Sequence, residues 1–122
     1  MLRGLRSYAA SLRAARAIGA AERQEQSGDW PAVLASFQRA LDALGAAGVD
    51  LGAPWTRSAA SVALYGYCRA AACLRSPDQL VAQVDTWRDR WTLWKAHPAT
   101  PEEQQYLDWI EKQYERCRRD LA

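Results

Sequence analysis

The chain has 122 residues, 49% of them hydrophobic and 25% charged, and carries a net charge of +2. That length supports one domain with its own core, and the composition excludes a disordered chain. The small net charge argues against direct nucleic-acid binding, which needs a concentrated basic patch.

Alanine dominates while Val, Ile and Thr are scarce, so helix is favoured over strand. The longest uncharged run, Ser58 to Cys68, is far short of a membrane span. Cys68, Cys73 and Cys117 have no framework spacing and read as small buried or half-buried thiols. A metal site from these cysteines and His97 would need convergence from distant parts of the chain, so no metal or cofactor is expected.

Met1 to Gln26 reads as a first helix. It holds Arg3, Arg6, Arg13 and Arg16, with no acidic residue before Glu22. Arg3, Arg6 and Arg13 share one side, and Leu5, Tyr8 and Leu12 the other. An amphipathic, arginine-rich, acid-poor segment matches the composition of a mitochondrial targeting sequence, here one that doubles as a structural helix. The plainer reading is a bundle helix with a solvated arginine face.

Ser27-Gly28-Asp29 is a break: Gly28 can end a helix in the left-handed conformation, and Asp29 can cap the next. The second helix runs from about Trp30 to Leu44, with Trp30, Val33, Leu34, Phe37, Ala40, Leu41 and Leu44 on its apolar face. Gly28-Asp29-Trp30, Val33-Leu34, Phe37 and Ala40-Leu41 together resemble the second half of a tetratricopeptide repeat. The resemblance covers about residues 14 to 44. It departs on the first helix, where Ala17, Ala20, Ala21 and Gln24 stand in place of the family's Trp, Leu, Gly and Tyr. It implies helical hairpins in a stacked array, with the aromatic of the second helix filling the gap to the next hairpin.

Gly45 to Ala53 is a glycine-rich loop without the Lys and Ser/Thr of a phosphate loop. A flexible connector is expected, with Val49 or Leu51 tucked onto the bundle. Pro54 opens a third helix that continues to Leu74 or Arg75. It is apolar nearly all round, which places it mid-bundle. Gly66 costs helix propensity there, so a close helix neighbour is expected against it.

Ser76-Pro77-Asp78-Gln79 and Thr100-Pro101-Glu102-Glu103 share one grammar of helix starts: capping hydroxyl, proline, acid, and a side chain able to close a capping box. Between them, Leu80, Val84, Trp87, Trp91 and Trp94 form one stripe of a fourth helix that ends near His97-Pro98. A last helix from Pro101 to about Asp120 presents Leu107, Ile110, Tyr114, Cys117 and Leu121 as its core face. Tyr106, Trp109 and Gln113 lie on a second side. Asp108–Lys112 and Glu115–Arg119 are spaced for ion pairs.

No catalytic constellation emerges. One His and no G-x-S-x-G argue against the common nucleophile triads, and Asp85 and Asp89 beside Arg88 and Arg90 read as an exposed charge mosaic. Six Trp and five Tyr are a heavy aromatic load for so short a chain. The partner-contact candidates are Trp87, Trp91, Trp94, Trp55, Tyr106 and Trp109, because Trp and Tyr anchor interfaces.

The expectation is an all-α domain spanning residues 1–122, of about five antiparallel helices in successive hairpins. It is read as a non-catalytic accessory subunit of a larger protein assembly, in a mitochondrial respiratory-chain or ATP synthase complex. The partners expected are other protein subunits, with peripheral contact to a membrane complex. The weak charge disfavours the third host, a mitochondrial ribosome. Two alternatives stand: a soluble cytoplasmic tetratricopeptide-like adaptor holding a peptide in a groove, and a small enzyme or ligand carrier with a tryptophan-lined pocket.

Overall fold

The computed structural model describes the backbone of residues 2–95 and 100–122, and the side chains of residues 4–90 and 100–122. The side chains of Trp91 and Trp94, and the helix end expected at His97-Pro98, lie outside these described residues. Five helices follow one another: α1 (Leu2–Gln26), α2 (Trp30–Leu44), α3 (Pro54–Cys73), α4 (Pro77–Lys95) and α5 (Pro101–Leu121). There is no strand among the described residues. The fold is all-α, and no described helix is long and apolar enough to cross a membrane.

The packing is that of a two-layer array. Each helix packs on its successor, and α1 and α5 also both pack on α3, whereas α2 and α4 make no close backbone approach among the described residues. The odd helices therefore form one layer and the even helices the other. Named contacts fix the direction of the odd layer. Near the starts of α3 and α5, Arg57 Nε lies 3.4 Å from Glu103 Oε2. Near the ends of α1 and α3, Glu25 accepts from Arg69. The three odd helices thus run parallel, and the even helices return between them.

The spacing of these ties is nearly constant. Glu25 and Arg69 are 44 residues apart, and Gln38 and Gln83, bridging the even layer, are 45 apart. With Arg57 and Glu103 46 apart, equivalent points along the array recur every 44 to 46 residues. A tetratricopeptide repeat takes about 34. The stacked-hairpin arrangement agrees with the sequence reading, but the unit is longer because α1 and α3 have 25 and 20 residues.

Both hairpins turn on the same corner. Gly28 takes φ +73°, and its N–H donates to Glu25 O while the Asp29 N–H donates to Gln24 O. Arg75 takes φ +54°, and its N–H donates to Ala72 O while the Ser76 N–H donates to Ala71 O. Each is a Schellman ending: the last carbonyls are satisfied by a left-handed residue and its successor. Asp29 then caps α2 by accepting from the Ala32 N–H. At the second corner the Ser76 hydroxyl donates to Asp78 Oδ1 at 3.1 Å, where the sequence had suggested a Gln79 partner. The Thr100–Glu103 capping box forms as expected.

The first hairpin closes on small side chains. Ser7, Ala10, Ala14, Ala17 and Ala21, spaced three, four, three and four, are all buried on the inner side of α1. Alanine at each contact lets helix axes approach to the short end of the usual 8–10 Å range. Phe37 projects from α2 onto α3 at Gly66, where any Cβ would collide with its ring. The glycine is thus a seat for the ring, and Phe37 joins the first hairpin to the second. Leu41, Leu44, Leu64, Leu80, Val84, Trp87 and Ile110 complete the core.

Two expectations are corrected here. The loop at 45–53 is tied down: the Asp50 N–H donates to Ser7 Oγ at 2.8 Å, and the Thr56 hydroxyl bonds to the Asp50 and Ala53 carbonyls. On α5, Leu121 is 51% exposed and Cys117 half-buried, so the core face expected to run to Leu121 is fully buried only as far as Tyr114.

Candidate functional site

The aromatic candidates separate by position. Trp87 is 2% exposed, with Arg90 stacked 4.8 Å above its indole. It is a core residue and offers a partner no free area. Trp55 opens α3 and is 52% exposed. Tyr106 and Trp109 are half-buried, and both pack on Tyr65 of α3, with ring centroids at 4.5 Å and 5.1 Å. Sequence reasoning had not paired Tyr65 with them, since their separation in the chain gives no local signal.

These rings lie on one face of the odd layer. Tyr65 reaches α5 and Arg69 reaches α1, while Gly66 and Tyr67 between them face the even helices. The Tyr106 hydroxyl donates to Glu102 at 2.7 Å, which raises its pKa, with partial burial adding to the effect. The Arg69 guanidinium sits 5.7 Å over Tyr65 while pairing with Glu25. The result is an aromatic strip of three rings with a charged pair at its edge.

The expected charge mosaic on α4 is partly organised. The buried Tyr114 phenol donates to Asp85 and accepts from Arg88 at 3.0 Å and Arg118 at 3.2 Å. One proton and two lone pairs are all used. Both guanidiniums also lie over the ring, at 4.5 Å and 5.8 Å. This cluster locks α4 to α5. On α5, Asp108 accepts from Gln104 rather than from the anticipated Lys112.

A cleft of about 460 Å³ opens between the even helices, lined in part by Gln38, Tyr67, Gln83, Thr86 and Arg90. Its amides answer each other: Gln83 Nε2 donates to Gln38 Oε1 at 2.7 Å, and Gln38 Nε2 to Asp42 at 2.8 Å. Burial raises the Tyr67 phenol. Trp87 is the one tryptophan among the described lining residues, so a tryptophan-walled pocket is not what this cleft provides. Cys68 is buried, Cys73 exposed and Cys117 half-buried. Burial is the main force pushing the Cys68 thiol up to about 12, with Cys117 adding to it.

The clearest departure from expectation is on α1. Leu5, Tyr8 and Leu12 are 65%, 58% and 45% exposed. A bundle helix with a solvated arginine face would turn this side inward. The alanine stripe takes that place, because α2 and α3 approach α1 too closely for large side chains. Ser7, Ala10, Ala14, Ala17 and Ala21 have full helical periodicity, and weighting small residues by spacing rather than hydrophobicity would have found this face. Arg6, Arg13 and Arg16 are exposed beside the outward stripe.

Comparison with known proteins gave no match to any family model, curated protein or solved structure. The array is defined by its own helix-to-helix contacts. Those contacts leave the two ends of the array unlike. At the α5 end the outward residues Gln104, Gln105, Asp108, Glu111, Lys112 and Glu115 are all exposed and polar. That is how a stacked array covers its terminus. The α1 end presents two leucines and a tyrosine instead.

Proposed function

We propose that this protein works by association, as a non-catalytic accessory subunit of a larger assembly in a mitochondrial respiratory-chain or ATP synthase complex. The observation that carries the reading is the outward apolar face of α1. A stacked array needs polar ends to stand alone, and this one has a polar end only at α5. Large apolar side chains exposed together mark contact sites more often than chance surface. The same helix supports the mitochondrial setting, since its arginines have no acidic neighbour before Glu22.

The test is native co-fractionation. The chain should migrate with a respiratory or ATP synthase complex and leave it only under dissociating detergent. Residues 1–26 fused to a fluorescent reporter should enter mitochondria. A free chain of monomer mass in organelle extract, or a diffuse cytosolic reporter, would count against the reading.

A second reading has its own observation. The Tyr65–Tyr106–Trp109 strip beside Arg69 suits a tetratricopeptide-like adaptor that holds an extended peptide across parallel helices. Trp109→Ala would then abolish peptide capture without unfolding the chain, while leaving co-fractionation intact only if the strip is not the subunit contact.

A further inference from the structure

We propose that the outer face of α1 is the seat of one helix from a partner protein, an amphipathic helix whose apolar seam is flanked by acidic residues. The proposal rests on the accessory-subunit reading and names the chemistry of its partner.

Three observations converge. First, the exposed stripe has helix-pairing geometry. Leu5, Tyr8 and Leu12 are spaced three and four, and Ala15 and Gly19 continue the same line at three and four. That is the spacing of a seam that receives another helix. Nothing but the end of Arg23 approaches Gly19 on its outer side, so a second helix has room to come close. Second, the stripe is one side chain wide, with exposed Arg13 and Arg16 along its margin. A bilayer surface calls for a broad apolar face; among the described residues of α1 the other large apolar side chain, Ile18, is half-buried against the core, and the rest are alanines. Third, the charge is one-sided. Residues 1 to 21 hold four arginines and no carboxylate. The exposed Arg13 and Arg16 border the seam, and the first carboxylate, the exposed Glu22, stands one turn beyond Gly19, so the Leu5–Ala15 part of the seam selects acidic flanks and rejects basic ones.

The position in the array agrees. A helix on this face lies against α1 where a preceding even-layer helix would lie in a longer array. It would cover the uncapped end as the polar face of α5 covers the other.

The test uses the full chain and two synthetic helical peptides with identical leucine seams, one flanked by glutamate and one by lysine. Binding is read by fluorescence anisotropy. The glutamate peptide should bind saturably, weaken as salt rises, and lose at least about tenfold in affinity with Leu5→Ser plus Leu12→Ser. Arg13→Glu with Arg16→Glu should switch preference to the lysine peptide. All four positions are exposed, and circular dichroism of each variant checks the fold. Equal binding of both peptides to the unaltered chain overturns the proposal, as does affinity that survives the serine substitutions. Binding to phosphatidylglycerol vesicles without peptide binding assigns the face to membrane and also overturns it. So does a concentration-dependent dimer that the serine substitutions abolish. If the chain co-fractionates with an assembly and stays in it after Leu5→Ser and Leu12→Ser, the subunit reading stands and this seat falls.

Discussion

The two hairpins of this protein share a backbone plan and differ in what fills it. Both turn on a left-handed residue with the same pair of hydrogen bonds, Gly28 in the first and Arg75 in the second. In the first hairpin α1 offers its partner alanine, whereas in the second α3 and α4 bring Leu64, Tyr67, Leu80, Val84 and Trp87 into the core. The corners and cross-layer ties set the layout, and side-chain volume is free to vary within it. Where the inside takes only alanine, the large apolar residues of a helix must go outside. That is how α1 comes to expose Leu5, Tyr8 and Leu12, the face proposed above as a contact surface.

The junction between the hairpins is the most sensitive point of this comparison. Gly66→Ala should destabilise the protein by about 3 kcal/mol, since the Phe37 ring must leave its seat. In urea unfolding, adding Phe37→Leu should recover part of the loss, a non-additivity expected only if the two residues touch. Glu103→Gln should cost about 2 kcal/mol. It keeps a capping acceptor but removes the negative charge 3.4 Å from Arg57 Nε, whose side chain is 14% exposed.

The corners give a paired prediction of opposite sign. Gly28→Ala should lower stability by about 1 kcal/mol, because a Cβ is strained at positive φ. Arg75→Gly should raise it by about 0.5–1 kcal/mol for the same reason. Equal effects in one direction would show that the corners are not equivalent. The thiols extend the contrast. The folded Cys68 value lies above its ordinary 9.0, near 12, so its contribution to stability is complete below about pH 9 and is lost as pH rises toward 12. Thermal melts across that range should show the fall, and a thiol reagent at neutral pH should modify Cys73 but not Cys68. Smallest of all, Leu12→Ser should change the melting free energy by under about 0.5 kcal/mol, as a surface position does.

Much of the fold was legible in the sequence. The proline-led starts at Pro54, Pro77 and Pro101, the Gly28 corner and the anomalous Gly66 each have a local physical cause. Tyr106 and Trp109 were singled out from residue type alone. What could not be read depends on contacts across more than 40 residues. The Ser7–Asp50 bond that fixes the glycine-rich loop leaves no pattern in either segment. Arg75 at positive φ breaks the usual preference for glycine and is visible only in the backbone. The inversion of α1 was hidden because hydrophobicity gives weight to leucine, while close packing gave the inside to alanine.

The most direct test of the account is site-specific photo-crosslinking in the native assembly. Benzoylphenylalanine placed at position 8 should yield a covalent adduct with a partner subunit, and the same group at position 111, on the polar face of α5, should yield none. Adducts at position 111 alone, or none at position 8 in an assembly that contains the chain, would contradict it.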